Sequence, residues 1–193
     1  MSKQKKEVCE MCGRYFTGGL LERKDICPSD QAVILCRGGA AGERHMDGKI
    51  VRSGAVWGFP APEGNRLIIN ARAESALERR MFCDRIRRER CVVPAGGFYE
   101  WNRLKEKSEF TRNEGKNMYM AGICGEFAGQ KRFVILTTKA NESVSPVHER
   151  MPLILEESEI EPWILDDGLV EYFLAKKPSS LKRDQEYEQL SLF

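Results

Sequence analysis

Four short stretches of the sequence place polar side chains capable of chemistry beside apolar or glycine neighbours. They cover residues 11–15 (MCGRY), 70–74 (NARAE), 94–101 (PAGGFYEW) and 148–152 (HERMP). The third stretch sets Glu100 among aromatic residues, where burial would raise the carboxyl pKa and allow proton transfer near neutral pH. His148 exchanges protons in the same range. The sequence therefore predicts acid–base chemistry at these two residues, against the alternatives of a solvent-facing carboxylate at a strand edge and a core histidine.

The seven cysteines include one close pair, Cys9 and Cys12. No secretory signal precedes them, which favours reduced thiols over a disulfide framework. A C-x-x-C pair fits a redox centre or half of a zinc site, but a zinc site needs a second close pair of ligands. The other cysteines are scattered, and the two histidines are His45 and His148. We therefore expect neither a metal nor another cofactor.

Length and composition are typical of one globular domain. The chain has 193 residues, of which 41% are hydrophobic and 31% charged, and its net charge is +2. Its longest apolar runs are too short to cross a bilayer, so we expect a cytoplasmic protein with no membrane partner. The small net charge does not by itself indicate a polyanion partner. Residues 79–90 hold six arginines against two acidic residues, a pattern that favours a solvated helix face.

The elements that must position these side chains are mostly short β-rich runs, separated by turn-forming residues. We predict a helix from Ser75 towards Arg88, and two more at residues 158–165 and 168–175. A polar stretch from residue 176 to 188 is predicted to be a flexible tail. The pattern favours an α+β fold with a curved mixed or antiparallel β core and flanking helices. The predicted strands cover residues 51–59, 67–70, 91–93, 97–103, 118–123 and 132–138.

Together, the four stretches resemble the SRAP family (SOS-response-associated peptidase), whose members are also called abasic-site processing proteins. The resemblance extends from Met11 to about Trp163 and includes the Trp-Gly pair at residues 57–58 and the run at residues 133–138. Several motifs in the right order make it much stronger than any single motif. It implies one SRAP-like domain over residues 12–175.

The resemblance also implies a covalent reaction with DNA through Cys12. Removal of the initiator methionine would give Cys12 a free α-amine beside its thiol, and an α-amine has a lower pKa than lysine, so more of it is nucleophilic near pH 7. The amine condenses with the aldehyde of an abasic site in single-stranded DNA, and the thiol then closes a thiazolidine ring. By resemblance, Asn70 positions the cysteine and the sugar, while Glu100 and His148 transfer protons.

Further DNA contacts follow from the same resemblance. Arginines grip phosphates through paired donors, and tryptophans can stack on an unpaired base, although buried core tryptophans are also common. The residues implied are Arg14, Arg72 and Arg150 for phosphates, Trp57 and Trp101 for bases, and Arg80 and Thr137 for other contacts.

The chain departs from the family pattern at its start, because residues 1–11 precede Cys12. A peptide bond on the Cys12 nitrogen would block the aminothiol chemistry, so we expect this leader to be absent or removed in the active form. Met11 as the true start is the favoured explanation, and a propeptide that the protein itself cleaves is the other. The alternative functions are a cysteine peptidase that uses Cys12, acting on itself or on other proteins, and a thiol redox protein built on Cys9 and Cys12.

The chain ends in QLSLF, which resembles the bacterial sliding-clamp-binding motif, within a predicted tail over residues 176–193. Two leucines and a phenylalanine suit an apolar pocket, and the glutamine adds a directed hydrogen bond. We expect a monomer that reaches replication forks on the nucleoid in this way, against the alternative of a tail that docks on its own domain. The residues expected to bind the clamp are Gln189, Leu190, Ser191, Leu192 and Phe193.

Overall fold

The computed structural model describes residues 14–17, 23–38, 48–64 and 66–185, which form two large β-sheets, one small sheet and short helices. No helix in these residues is long and apolar enough to cross a membrane. The strands are β1 (Arg14–Thr17), β2 (Lys24–Ile26), β3 (Gln31–Arg37), β4 (Ile50–Trp57), β5 (Phe59–Pro60), β6 (Leu67–Ile68), β7 (Asn70–Arg72), β8 (Arg90–Ala95), β9 (Gly97–Trp101), β10 (Lys107–Thr111), β11 (Met118–Phe127), β12 (Gln130–Lys139), β13 (Arg150–Pro152), β14 (Ile154–Leu155) and β15 (Lys182–Gln185). The helices are α1 (Cys83–Arg88), α2 (Ile160–Leu165) and α3 (Val170–Leu174), with 3-10 turns at Ala73–Ser75, Asn113–Gly115, Glu157–Glu159 and Asp167–Leu169.

Five strands close into a barrel in the order β12, β4, β3, β8 and β11, because β12 pairs with β4 at one edge and with β11 at the other. The pairing of β12 with β4 is parallel, and the others in the ring are antiparallel. Closure leaves the ring without an unpaired edge. Outside it, β7 runs parallel to β12, and β13 and β14 pair with β12 and β11.

Strand β12 shows why the barrel strands read as continuous apolar runs. Phe133 and Ile135 pack into a cluster shared with the five-stranded sheet, whereas Val134 and Leu136 pack into a second cluster shared with the helices. Successive side chains of a strand point to opposite faces. Both faces of β12 are therefore covered, and its position is fixed on both sides.

The second large sheet has the order β15, β10, β9, β1 and β2. Its central strand, β9, pairs with β1 so that Tyr99 lies opposite Arg14, and with β10 so that Glu100 lies opposite Ser108. This sheet thus carries the candidate carboxylate on the strand next to the one that leads back towards Cys12.

The predicted fold class is confirmed: a mixed β core with short helices beside it. The helices predicted at residues 158–165 and 168–175 are present as 3-10 turns that continue into α2 and α3. The helix predicted from Ser75 is shorter, because regular α-helix begins only at Cys83. Ahead of it the chain is held by burial of Ala73, Ala76 and Phe82 instead of a regular hydrogen-bond ladder.

The flexible tail predicted from residue 176 is wrong for the part that the structure describes. Lys182–Gln185 form β15, which pairs with β10 at the edge of the five-stranded sheet. Leu181 is buried, and its backbone N–H donates to the Ser143 hydroxyl at 3.0 Å. The polar composition misled the prediction, since an edge strand needs few apolar side chains when its backbone is paired.

Candidate active-site cavity

A cavity of about 250 Å³ lies where β1, β7, β9, β12 and the start of β13 meet. It contains three of the four predicted catalytic residues, Asn70, Glu100 and His148. Five of the seven predicted DNA contacts also line it: Arg14, Trp57, Arg72, Thr137 and Arg150. The remaining lining residues are Tyr15, Phe98, Tyr99, Met120, Ile135, Met151 and Pro152.

Asn70 and Arg72 reach the cavity because β7 is a short strand with one buried residue between two exposed ones. Its register against β12 sets Asn70 opposite Ile135 and Arg72 opposite Thr137. Ala71 points the other way, into the cluster beneath the helices. The Asn-Ala-Arg segment at the start of the NARAE stretch therefore presents its two polar side chains on one face of β7.

Glu100 is half-buried in the cavity wall. Burial raises the pKa of its carboxyl to about 7, and the nearby His148 and the Trp101 backbone N–H oppose that rise. The raised pKa predicted from the aromatic neighbours is therefore confirmed in direction and cause. A carboxyl with a pKa near 7 can both donate and accept a proton at physiological pH.

His148 follows the turn at residues 142–147 and is held by its backbone and its ring. Its N–H donates to the Val144 carbonyl at 3.1 Å, and Val144 is fully buried. Its ring Nδ1 lies 3.1 Å from both the N–H and the carbonyl oxygen of Arg150. The Arg150 N–H can donate to Nδ1 of the neutral ring, and a protonated Nδ1 can donate to the carbonyl, so the same backbone unit supports both protonation states.

Arg150 makes a planar, two-point ion pair inside the site. Its Nη1 and Nη2 donate to the two carboxylate oxygens of Glu74, each at 2.8 Å, and Nη2 also donates to the Thr137 carbonyl at 2.7 Å. The hydrogen bonds from Arg150 hold the pKa of the Glu74 carboxyl below its usual value. The predicted phosphate-binding arginine therefore already holds an internal anion in this structure.

The two predicted stacking residues have different surroundings. Trp57 is only 2% exposed, its ring packs against Tyr15 and Phe133, and its indole N–H donates to the Ile69 carbonyl at 2.9 Å. This burial leaves no open ring face, so base stacking on Trp57 does not fit and packing is its role here. Trp101 is half-buried outside the lining, and the Arg14 guanidinium lies 5.8 Å from its ring centroid.

Besides Trp101, three further predicted sites lie away from this cavity or outside the described residues. Arg80 is exposed near the start of α1 and is not part of the lining. Cys12 and the residues from Gln189 to Phe193 lie outside the described residues. Among the residues that are described, no group of three or more His, Cys, Asp or Glu side chains is placed to hold a metal ion.

A protein-family model matches almost the whole chain. The family model described as SOS response associated peptidase (SRAP) matches residues 2–181 of the chain. The chain belongs to the SRAP family.

Two named relatives show how much of the chain is similar to known family members. The chain is similar to the abasic site processing protein YoqW of Bacillus subtilis, with 34% identity over 151 residues, which are 72% of this chain and 65% of that protein. It is also similar to the abasic site processing protein YedK of Escherichia coli, with 30% identity over 152 residues, 74% of this chain and 64% of that protein. The chain thus spans just under two thirds of the length of these relatives.

Solved structures show the same SRAP-like fold. A phage-related protein from Bordetella bronchiseptica superposes with a TM-score of 0.72 at 20% identity, covering 91% of this chain and 94% of that one. A second protein from the same organism gives a TM-score of 0.72 at 19% identity, covering 91% of this chain and 100% of that one. Identities this low show the fold alone.

The residues that were not assigned a role from the sequence include Tyr15, which lines the cavity, and Glu74, which pairs with the lining residue Arg150. Glu74 belongs to the quoted NARAE stretch, but its partner Arg150 is 76 positions away, so the pair is not visible in sequence. Tyr15 follows Arg14 in the MCGRY stretch, and its hydroxyl is buried with no hydrogen-bond partner within the described part of the chain. The sequence offered one indication of a role for Tyr15, which is that a tyrosine occupies an otherwise apolar position.

Proposed function

We propose that this SRAP protein recognises abasic sites in single-stranded DNA and joins to them covalently through an amino-terminal Cys12. The observation that carries the proposal is one cavity that combines Asn70, Glu100 and His148 with Arg14, two positions after Cys12. Two peptide units reach at most about 7 Å, and this short connection to Arg14 supports the proposal that Cys12 acts at the cavity. The relatives are named abasic site processing proteins, which supports this substrate class.

The proposed reaction balances without a cofactor. The neutral α-amine of Cys12 adds to the C1′ aldehyde of the ring-opened abasic sugar, and loss of one water gives an imine. The Cys12 thiol adds across the C=N bond, its sulfur bonding to carbon while its proton passes to nitrogen. The product is a thiazolidine ring that links the protein to DNA.

The cavity supplies the proton transfers that these steps need. Opening of the sugar ring and loss of water require an acid, and attack by the amine requires a base. The Glu100 carboxyl, with a pKa of about 7, can serve in both roles. His148 is fixed by Arg150 in a position that supports either protonation state of its ring. Asn70 is an exposed residue in the lining of the same cavity, and we assign it contacts to the sugar.

The decisive experiment tests the free Cys12 directly. Protein that starts at Met11 is incubated with a single-stranded oligonucleotide carrying one uracil-derived abasic site, and the products are separated on a denaturing gel. We expect a slow-migrating band that is lost in Cys12→Ala. No band from protein whose free Cys12 has been confirmed by intact mass would overturn the proposal.

Two controls separate the alternative functions. In protein expressed as the full-length chain, Cys9→Ser should leave the crosslinking that follows leader removal unchanged, whereas a redox function would need both thiols. Intact-mass analysis of protein expressed from its own locus tests how the amine becomes free. Active protein that retains the whole leader would contradict both the alternative start and self-cleavage.

We also propose that the last five residues bind the sliding clamp, a prediction from the QLSLF motif that lies outside the described residues. The test measures binding to purified clamp and crosslinking in parallel for the full chain and for a chain lacking residues 189–193. Loss of clamp binding with intact crosslinking is the expected result. Unchanged clamp affinity after the deletion would reject the idea.

A further inference from the structure

The Arg150 guanidinium is committed to protein atoms on both terminal nitrogens. Nη1 and Nη2 face the Glu74 carboxylate, and Nη2 also faces the Thr137 carbonyl. The Arg150 side chain is 20% exposed and that of Glu74 is 48% exposed. A phosphate that took the same two donors would have to displace Glu74 first. The paired geometry is therefore better suited to holding Arg150 still than to gripping DNA.

What Arg150 holds is the ring of His148. The N–H and the carbonyl of Arg150 both lie 3.1 Å from His148 Nδ1. A shift of the Arg150 backbone would move both atoms that fix the imidazole. Fixing Nδ1 also determines where Nε2, the nitrogen left for chemistry, is directed.

Glu74 lies in the 3-10 turn Ala73–Ser75. It follows β7, which presents Asn70 and Arg72, while Arg150 begins β13 after the His148 turn. β7 and β13 do not pair with each other, and each pairs separately with β12. The Glu74–Arg150 ion pair thus braces the element bearing Asn70 against the element bearing His148.

We propose that Glu74 is a positioning residue that acts through Arg150 to hold His148, and with it the proton-transfer geometry of the cavity. The inference rests on the crosslinking function proposed above. The pair is ionised at neutral pH, because hydrogen bonds from Arg150 hold the pKa of the Glu74 carboxyl below its usual value. Glu74 itself is not among the residues that line the cavity.

This assignment predicts opposite effects on binding and on chemistry. Glu74→Gln removes a negative charge and frees Arg150 to bind phosphate, so affinity for the oligonucleotide should stay the same or rise. The same change loosens His148, so the crosslinking rate should fall. A loss of general structural integrity would instead weaken both.

The experiment measures the two effects separately with protein bearing a free Cys12. For Glu74→Gln we expect the crosslinking rate at saturating DNA to fall about tenfold, a partial loss of the roughly 10²–10⁴-fold that general acid–base catalysis typically contributes. We expect the dissociation constant for the abasic oligonucleotide to be unchanged or lower. Its dependence on salt should steepen by about 0.7 in log–log slope, which corresponds to one more phosphate contact on a single strand. An unchanged rate, or a rate and an affinity that fall together, would overturn the assignment.

A matched control and a second variant keep the test sharp. Glu156→Gln breaks a comparable ion pair with Arg112, away from the cavity, and should leave both constants unchanged. Arg150→Lys keeps the backbone contacts to His148 but cannot hold Glu74 at two points. If Glu74 acts through Arg150, the double variant should be no slower than the slower single variant, whereas independent roles would multiply to about 100-fold.

Failure of this inference is distinguishable from failure of the proposed function. The wild-type protein with a free Cys12 provides the reference. If it forms no crosslink, the proposed function is wrong. If it crosslinks and Glu74→Gln matches its rate, only the positioning role of Glu74 is wrong.

Discussion

Two enclosed ionisable side chains, Arg90 beside the helices and Glu100 in the cavity, have very different surroundings. Arg90 is 2% exposed, and each of its three nitrogens has a partner. It donates to carbonyls at the ends of α1 and α2 and pairs with Asp167. Glu100 is half-buried, and burial raises its pKa to about 7 although the nearby His148 and the Trp101 backbone N–H oppose that rise.

The difference shows how the fold separates stability from reactivity. A buried charge with complete partners fixes neighbouring elements, because moving it would leave several polar groups unpaired. A buried acid whose partners only partly offset the effect of burial has a pKa near neutral pH and can exchange protons. The Arg90 cluster holds the helices against the barrel, and the cavity leaves Glu100 available for a substrate.

The largest expected effect is loss of stability in Arg90→Met. The substitution leaves buried carbonyls without donors, each costing about 1–3 kcal/mol, so we expect the free energy of unfolding to fall by about 3 kcal/mol or more. Denaturant unfolding measures it, with Arg103→Met at an exposed position as the control. An unchanged midpoint for Arg90→Met would mean that the buried contacts of Arg90 contribute no more to stability than those of an exposed arginine.

The next largest effect is on chemistry in Glu100→Gln. Glutamine keeps the size of the side chain but cannot exchange a proton, so the crosslinking rate should fall about 100-fold or more, while the thermal midpoint at pH 8 is not lowered. Gel-based time courses at saturating DNA measure the rate. A folded variant with wild-type rate would remove Glu100 from the mechanism.

A third, smaller effect is the pH dependence of stability that Glu100 causes. Its pKa in the folded protein, about 7, lies above the value of 4.5 for an unperturbed carboxyl. The folded state therefore binds the proton more tightly, and stability is present at low pH and lost as the pH rises towards 7. The thermal midpoint of Glu100→Gln should match wild type near pH 4 and exceed it by about 3 °C or more at pH 8. Parallel midpoints across that range would contradict the raised pKa.

The smallest effect concerns Tyr15→Phe. The Tyr15 hydroxyl is buried and has no hydrogen-bond partner within the described residues. Burying an unpaired hydroxyl is costly, so its removal should be neutral or stabilise the DNA-free protein by about 1 kcal/mol. Denaturant unfolding without DNA provides the measurement. A clear loss of stability would show that the Tyr15 hydroxyl has a hydrogen-bond partner, as the Arg90 nitrogens do.

The sequence predicts the members of the site better than their contacts. Asn70, Glu100 and His148 could be grouped because each lies in a motif whose order resembles the SRAP family, and the raised pKa of Glu100 followed from its aromatic neighbours. The Glu74–Arg150 pair could not be predicted, since it depends on where β7 and β13 lie on β12. Trp57 was ambiguous because sequence does not reveal burial.

Secondary structure was predicted well where a strand is a run of mainly apolar residues between turn signals, as in β11 and β12, and poorly where tertiary contacts decide. Strand β15 has a charged sequence, and its pairing with β10 depends on an edge that no local pattern reveals. The same holds for the Asn141 side chain, which donates to the carbonyls of Pro178 and Ser179 and so fastens this segment to the turn before His148.

Strand β15 also limits how far the QLSLF motif, proposed above to bind the clamp, can lie from the domain. A chain free from residue 176 could span at most about 45 Å before Gln189, whereas a chain fixed as far as Gln185 could span at most about 14 Å. If the clamp binds this motif, so short a connection would give the domain a high effective concentration near the DNA beside the clamp. The domain would then reach only abasic sites close to the clamp, so the position of the clamp on the DNA would determine which lesion is bound.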